Sequence, residues 1–338
     1  MTLQNPLAEL IEEKGVLLAD GATGTTLFEM GLESGDSPEF WNTDQPEKIT
    51  KLHKDFVDAG ADIILTNSFG GSRHRLKLHN AQDRVYELNK AGAEIARAVA
   101  DEAERKVIVA GSVGPTGELF VPLGELTYDE AVFAFREQIA GLRDGSADVI
   151  WIETMSAAEE MRAAAEASAA EGMPYVCTAS FDTAGKSMMG LHPKDIGEVF
   201  TTVTQAPEAI GANCGVGASD ILSSLIDMRH GAPDAKLIVK GNCGIPEFQG
   251  DQIVYSGNPD LMADYTRLAI DAGATIIGGC CGTSCDHLKA MRNALDTHQK
   301  GAFPTREMIC EQIGPMVNSI ASNDNGAPKR ERRGRRRA

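Results

Sequence analysis

The chain has 338 residues, of which 42% are hydrophobic and 24% charged, with a formal net charge of −17. That length suits one large α/β barrel or two ordinary domains, and the composition makes a packed core the expectation. The acidic balance argues against nucleic acid as the main partner. The absence of an apolar run of about 18 residues argues against a helical membrane span.

Residues 1–15 are acidic and amphipathic, without the basic start and apolar core of a signal peptide, so a cytoplasmic protein is expected. Short apolar runs then recur at 16–19, 62–66, 107–112, 149–153, 175–180, 209–213, 237–240 and 275–279. Continuous runs of this kind suit strands buried on both faces of a parallel sheet. Helical patterns lie between them. Ile49, Leu52 and Phe56 share a face up to Gly60. Thr127 and Glu130 form a capping box ahead of Val132, Phe135, Ile139 and Leu142. Asn258–Pro259 opens a helix with Leu261, Tyr265 and Leu268 on one side. The joints DAGAD (58–62) and DAGAT (271–275) repeat a helix stop followed by a strand, and DGSAD (144–148) is a looser copy.

Eight strand–helix units favour a closed (β/α)8 TIM barrel over an open doubly wound sheet. Residues 20–46 predict an elaborated first loop. The barrel is expected over 1–312, with a C-terminal extension at 313–338 that ends in a disordered basic tail. Residues 329–337 carry seven basic side chains and one acidic, a net of +6, so the remainder carries −17 − 6 = −23. Such a tail reads as a solvated end, or as a tether for an acidic partner.

The seven cysteines are an odd number in a long chain, which points to metal-binding or catalytic thiols. Cys214 directly follows the sixth run (GANC), and Cys280 and Cys281 directly follow the eighth (IIGGCCG). All three therefore fall at strand C-termini, the face where such barrels build active sites. Three thiolates with one open position suit a catalytic zinc. Adjacent cysteines on a regular strand face opposite ways, so both reach one ion only if the backbone turns, which the flanking glycines permit. Three other readings stay open: a vicinal redox disulfide, inert buried thiols, and a structural four-cysteine site that uses Cys243 after the seventh run. Cys177 is expected in the core. His74, His79 and His192 are read as loop residues and none is assigned to the metal. GSVGPTGE (111–118) lacks the GK[ST] of a Walker loop and is expected to line the donor side.

The motifs DGATGT (20–25), GANC (211–214) and GGCCG (278–282) together resemble the homocysteine S-methyltransferase family over roughly residues 10–300. That family includes betaine–homocysteine methyltransferases and the homocysteine half of cobalamin-dependent methionine synthase. In these motifs the chain looks most similar to bacterial betaine–homocysteine methyltransferase-like proteins. The resemblance implies a (β/α)8 barrel and one Zn2+ held by Cys214, Cys280 and Cys281. It also implies homocysteine as the zinc-bound nucleophile and methionine as product. Asp20 and Glu153 match positions that hold the homocysteine ammonium. Gly21 and Thr23 lie in a turn whose backbone N–H groups suit a carboxylate.

The methyl donor is left open. Betaine would call for an aromatic cage, and Trp41 and Phe69, with Asn67 beside them, are the donor-side candidates; Phe40 and Phe120 are further rings nearby. TNSFGG (66–71) looks more like methionine synthase, and Thr154 stands where vertebrate betaine enzymes carry tyrosine. A sulfonium, or a methylcorrinoid on a separate protein, are the other donor classes. With the corrinoid, the chain would be the homocysteine-binding subunit of a split cobalamin-dependent methionine synthase. A reading of another class is a non-catalytic zinc or redox scaffold. No oligomeric pattern is legible.

Overall fold

The computed structural model describes residues 5–249 and 252–318. Eight parallel strands form the barrel: β1 (Leu17–Leu18), β2 (Ile63–Leu65), β3 (Ile108–Val113), β4 (Val149–Met155), β5 (Tyr175–Ala179), β6 (Ile210–Cys214), β7 (Leu237–Gly241) and β10 (Ala274–Gly279). A hairpin, β8 (Pro246–Gln249) with β9 (Gln252–Tyr255), is inserted after β7. The sheet runs β1-β10-β7-β6-β5-β4-β3-β2, and a parallel bridge between Ala19 and Ile63 closes it. All eight predicted runs are strands of this barrel.

The strand period of two decides what points inward. Leu17, Ile63, Ile108, Val149, Trp151, Val176 and Ile238 fill the barrel interior as one cluster. Their strand neighbours, among them Leu18, Ile64, Val109, Ile150 and Val239, face the surrounding helices. The helix Pro6–Lys14 plugs the N-terminal mouth with Leu7, Leu10 and Ile11, which join the interior cluster. The opposite mouth, at the strand C-termini, stays open.

Local signals behave as expected at most joints. Thr127 caps the helix Tyr128–Asp144 in a full capping box, and Asn258 caps Pro259–Asp271. The repeated joint places Gly60 and Gly273 at positive φ (105° and 85°), and the looser copy forces Ser146 to 71°. Two elements depart from the sequence reading. The fifth crossover uses a 3₁₀ segment, Pro193–Phe200, in place of an α-helix. The β8–β9 hairpin was not anticipated. Beyond residue 312 the chain stays docked: the backbone N–H groups of Val317 and Asn318 both donate to Asp220, at 2.9 Å. The expected basic tail lies outside the described residues.

The β1–β2 seam is the barrel's weakest strand pairing, and Asp62 reinforces it. Its carboxylate accepts the Leu18 N–H (2.9 Å) and pairs with Lys14 (2.7 Å) and Arg292 (3.0 Å). It is 1% exposed. Asp62→Ala should cost about 2–3 kcal/mol, from one orphaned backbone donor and the lost ion pairs. Chemical denaturation checks this, and an unchanged midpoint would exclude the role.

Candidate metal and substrate site

The Sγ atoms of Cys214, Cys280 and Cys281 lie within 4.8 Å of one another. Tetrahedral zinc, with Zn–S bonds of about 2.3 Å, needs sulfurs roughly 3.8 Å apart. The trio therefore fits one ion with little adjustment. Cys243, although on the same rim and fully buried, is not part of the group. Cys177 is buried in the core.

The backbone explains the convergence. Strand parity would aim Cys214 away from the barrel axis, but its φ is 61°, in the left-handed region, and Gly215 follows at 77°. A non-glycine residue held there stores strain, which is characteristic of functional sites. Asn242 ties the two strand ends together. Its Nδ2 donates to the Gly215 carbonyl (2.7 Å) and its Oδ1 accepts the Cys281 N–H (3.1 Å). Tyr255, at the end of the hairpin, hydrogen-bonds Cys281.

Packed together without a metal, the thiols retain their protons. Hydrogen bonding to Cys280 pushes Cys214 up to about 12, and that to Cys214 pushes Cys281 up to about 11. Metal uptake must therefore displace these protons.

The cluster forms one wall of a cavity of about 410 Å³ at the C-terminal mouth. Gly21, Thr23, Asn67, Phe69, Ser112, Glu153 and Lys240 are among its other lining residues. Glu153 follows Val149 and Trp151 on the inward face of β4. Its Oε1 accepts a 2.5 Å hydrogen bond from Ser112, and burial raises its pKa. Thr154, at φ 60°, turns the chain immediately after it. Asn213 holds that turn by accepting the Thr154 N–H and donating to its hydroxyl, both at 2.7 Å.

Asp20 is placed differently. It is fully buried and does not line the cavity. Its Oδ2 accepts the Leu65 N–H (2.7 Å) and its Oδ1 the Lys240 ammonium (2.6 Å). Lys240 is the residue that sequence reading missed, although its signal was present: Ile238 points inward, so position 240 does too. Burial lowers its pKa, but Asp20 and Glu153 raise it further, so the amine stays protonated.

On the donor side, the candidates separate. Phe69 is half-exposed in the cavity wall, and Asn67 anchors the first loop by donating to Pro38 and Asn42. Trp41 is buried outside the cavity, with the Lys48 ammonium 4.1 Å from its ring centre. Phe40 meets His79 edge to face, and Phe120 is not in the wall. The 111–118 segment contributes Ser112, while Gly114 packs beneath Phe69.

A family model described as homocysteine S-methyltransferase matches residues 17–295. The chain belongs to the homocysteine S-methyltransferase family. Among its relatives are the methionine synthases of Mycobacterium leprae and Mycobacterium tuberculosis. Each is 30% identical over 324 residues, an alignment that covers 90% of this chain. The chain spans 26% of their length. Among solved structures, the homocysteine methyltransferase MmuM from Escherichia coli, in its metallated form, aligns with a TM-score of 0.72 at 25% identity. The alignment covers 86% of this chain and 99% of that one. Its oxidized form gives 0.71 at 26% identity. No described helix is long and apolar enough to cross a membrane.

Proposed function

We propose that the protein is a zinc-dependent homocysteine S-methyltransferase that forms methionine. The observation that carries this reading is the meeting of three thiols, from strand ends 66 residues apart in sequence (280 − 214), on a cavity that still has room for a substrate. Cys214, Cys280 and Cys281 would hold the metal. Bound zinc supplies the Lewis-acid charge that keeps an acceptor thiol deprotonated near neutral pH.

The chain's own groups orient the acceptor. Glu153 has its Oε1 occupied by Ser112, while its Oε2 has no protein donor among the described residues, so that oxygen is placed to take the homocysteine ammonium. Asp20 reaches the acceptor only indirectly, through the Lys240 ammonium with which it pairs. The Gly21–Thr25 turn and Phe69 wall the remaining space. Glu153→Gln should raise the homocysteine KM about 10- to 100-fold, the loss expected for a charged hydrogen bond. The zinc content should be unchanged. A KM within twofold of wild type would remove Glu153 from the acceptor site.

Two donor classes fit: a small onium such as betaine or a sulfonium, and a methylcorrinoid carried by a separate protein. Phe69 is the only Phe, Tyr or Trp in the cavity wall among the described residues. A quaternary ammonium is usually met by several rings, which favours the corrinoid reading. The match to methionine synthases supports it too. Methionine formation from homocysteine with each donor in turn tests the choice. Absence of zinc and of methionine with every donor would refute the whole reading and leave a non-catalytic scaffold.

A further inference from the structure

We propose that Lys240 is the specificity residue of the acceptor subsite: its ammonium receives the carboxylate of the amino-acid thiol. The assignment rests on the acceptor reading above and extends it to a residue that neither the motifs nor the family match points to.

The geometry carries the argument. Lys240 is 3% exposed, yet it forms part of the cavity wall beside Glu153 and the cysteine cluster. A lysine ammonium has three N–H donors. One is spent on Asp20 Oδ1, and no other hydrogen bond from Nζ is formed among the described residues. Buried donors without acceptors are costly, so a cavity-lining ammonium with spare donors is matched to a ligand acceptor. The fold makes room for it deliberately. A Cβ on Gly278 would come within 2.8 Å of the Lys240 stem. Trp151 floors the site, with its ring centre 5.7 Å from Nζ.

Charge bookkeeping gives the same answer. Three thiolates around a divalent ion carry a formal −1, and Asp20 and Glu153 add −2. A ligand carboxylate entering that environment needs a cation. Of the two Lys and Arg side chains in the cavity wall, Lys240 and Arg75, only Lys240 is buried. Asp20, which accepts from Leu65 and Lys240, acts as a positioning residue that fixes the ammonium. An amino-acid thiol is then read at three points: sulfur at the cysteines, ammonium at Glu153 and carboxylate at Lys240.

The test compares acceptor binding to the zinc-loaded protein by calorimetry. The ligands are homocysteine, 3-aminopropane-1-thiol, which lacks the carboxylate, and 4-sulfanylbutanoate, which lacks the ammonium. Lys240→Met should weaken homocysteine and 4-sulfanylbutanoate about 10- to 100-fold. Binding of 3-aminopropane-1-thiol should stay within twofold. The double variant Asp20→Asn/Lys240→Met, which leaves no orphaned charge, should show the same pattern. Zinc content and melting temperature confirm that each variant is folded. Equal weakening of all three thiols, or no weakening of homocysteine, would overturn the assignment. A wild-type zinc protein that binds none of the three would overturn the acceptor reading itself, and this assignment with it.

Discussion

Cys281→Ala should abolish both stoichiometric zinc and methionine formation. The triad joins two strand ends of one rim, and Cys281 is fixed from two sides, by Asn242 at its backbone and by Tyr255 at its sulfur. Its loss leaves two sulfurs, one fewer than the three protein ligands of a catalytic zinc site. Cys243 cannot substitute, since it is buried outside the group. Lewis-acid stabilisation is worth several kcal/mol, and each ~1.4 kcal/mol is tenfold in rate. The fall in turnover should therefore be on the order of 10³-fold or more. Metal analysis and a methionine assay on the same preparation check it. Full zinc retention in the variant would point to a structural site. A reversible Cys280–Cys281 disulfide in the wild type, with no zinc bound, would favour the redox reading.

Much of this was legible because strands buried on both faces announce themselves as unbroken apolar runs, and eight of them leave few topologies. The cysteines were legible for a related reason: each directly follows such a run, so the fold places it on the active rim. The geometry that brings Cys214 to the others was not. A left-handed φ on a cysteine violates local preference, and only the surrounding structure enforces it. The hairpin after β7 escaped notice because its strands are four residues each, too short for a clear period. Lys240 escaped for a different reason. A lysine at the end of an apolar run reads as a solvated strand terminus. Its burial becomes visible only when Asp20, 220 residues earlier, arrives across the barrel. The resemblance gives Asp20 an ammonium-binding role, and sequence alone does not show that its carboxylate already accepts from Leu65 and Lys240.

That pairing leads to the largest stability effect expected. Asp20→Asn removes the closest counter-charge of a lysine that is 3% exposed, and removing one partner of a buried pair costs about 3–5 kcal/mol. Glu153 remains as a second acidic neighbour, which places the loss toward the lower end of that range. The pH dependence distinguishes this mechanism from simple misfolding. In the wild type, Asp20 and Glu153 raise the Lys240 pKa above its ordinary 10.5, so the pair's contribution persists until the pH climbs past that value. In the variant, burial should outweigh the remaining pull of Glu153, and the folded-state pKa should then fall below the unfolded one. The penalty is then full at neutral pH and shrinks as alkali deprotonates the amine in the folded state. Denaturation of both proteins from pH 7 to 10 should thus show a gap that narrows as the pH rises. The double variant Asp20→Asn/Lys240→Met should recover most of the lost stability at pH 7, because an uncharged side chain of similar length fills the same space. A single variant as stable as wild type at pH 7 would mean that Lys240 draws its compensation from elsewhere, and that the ion pair is not what holds it in place.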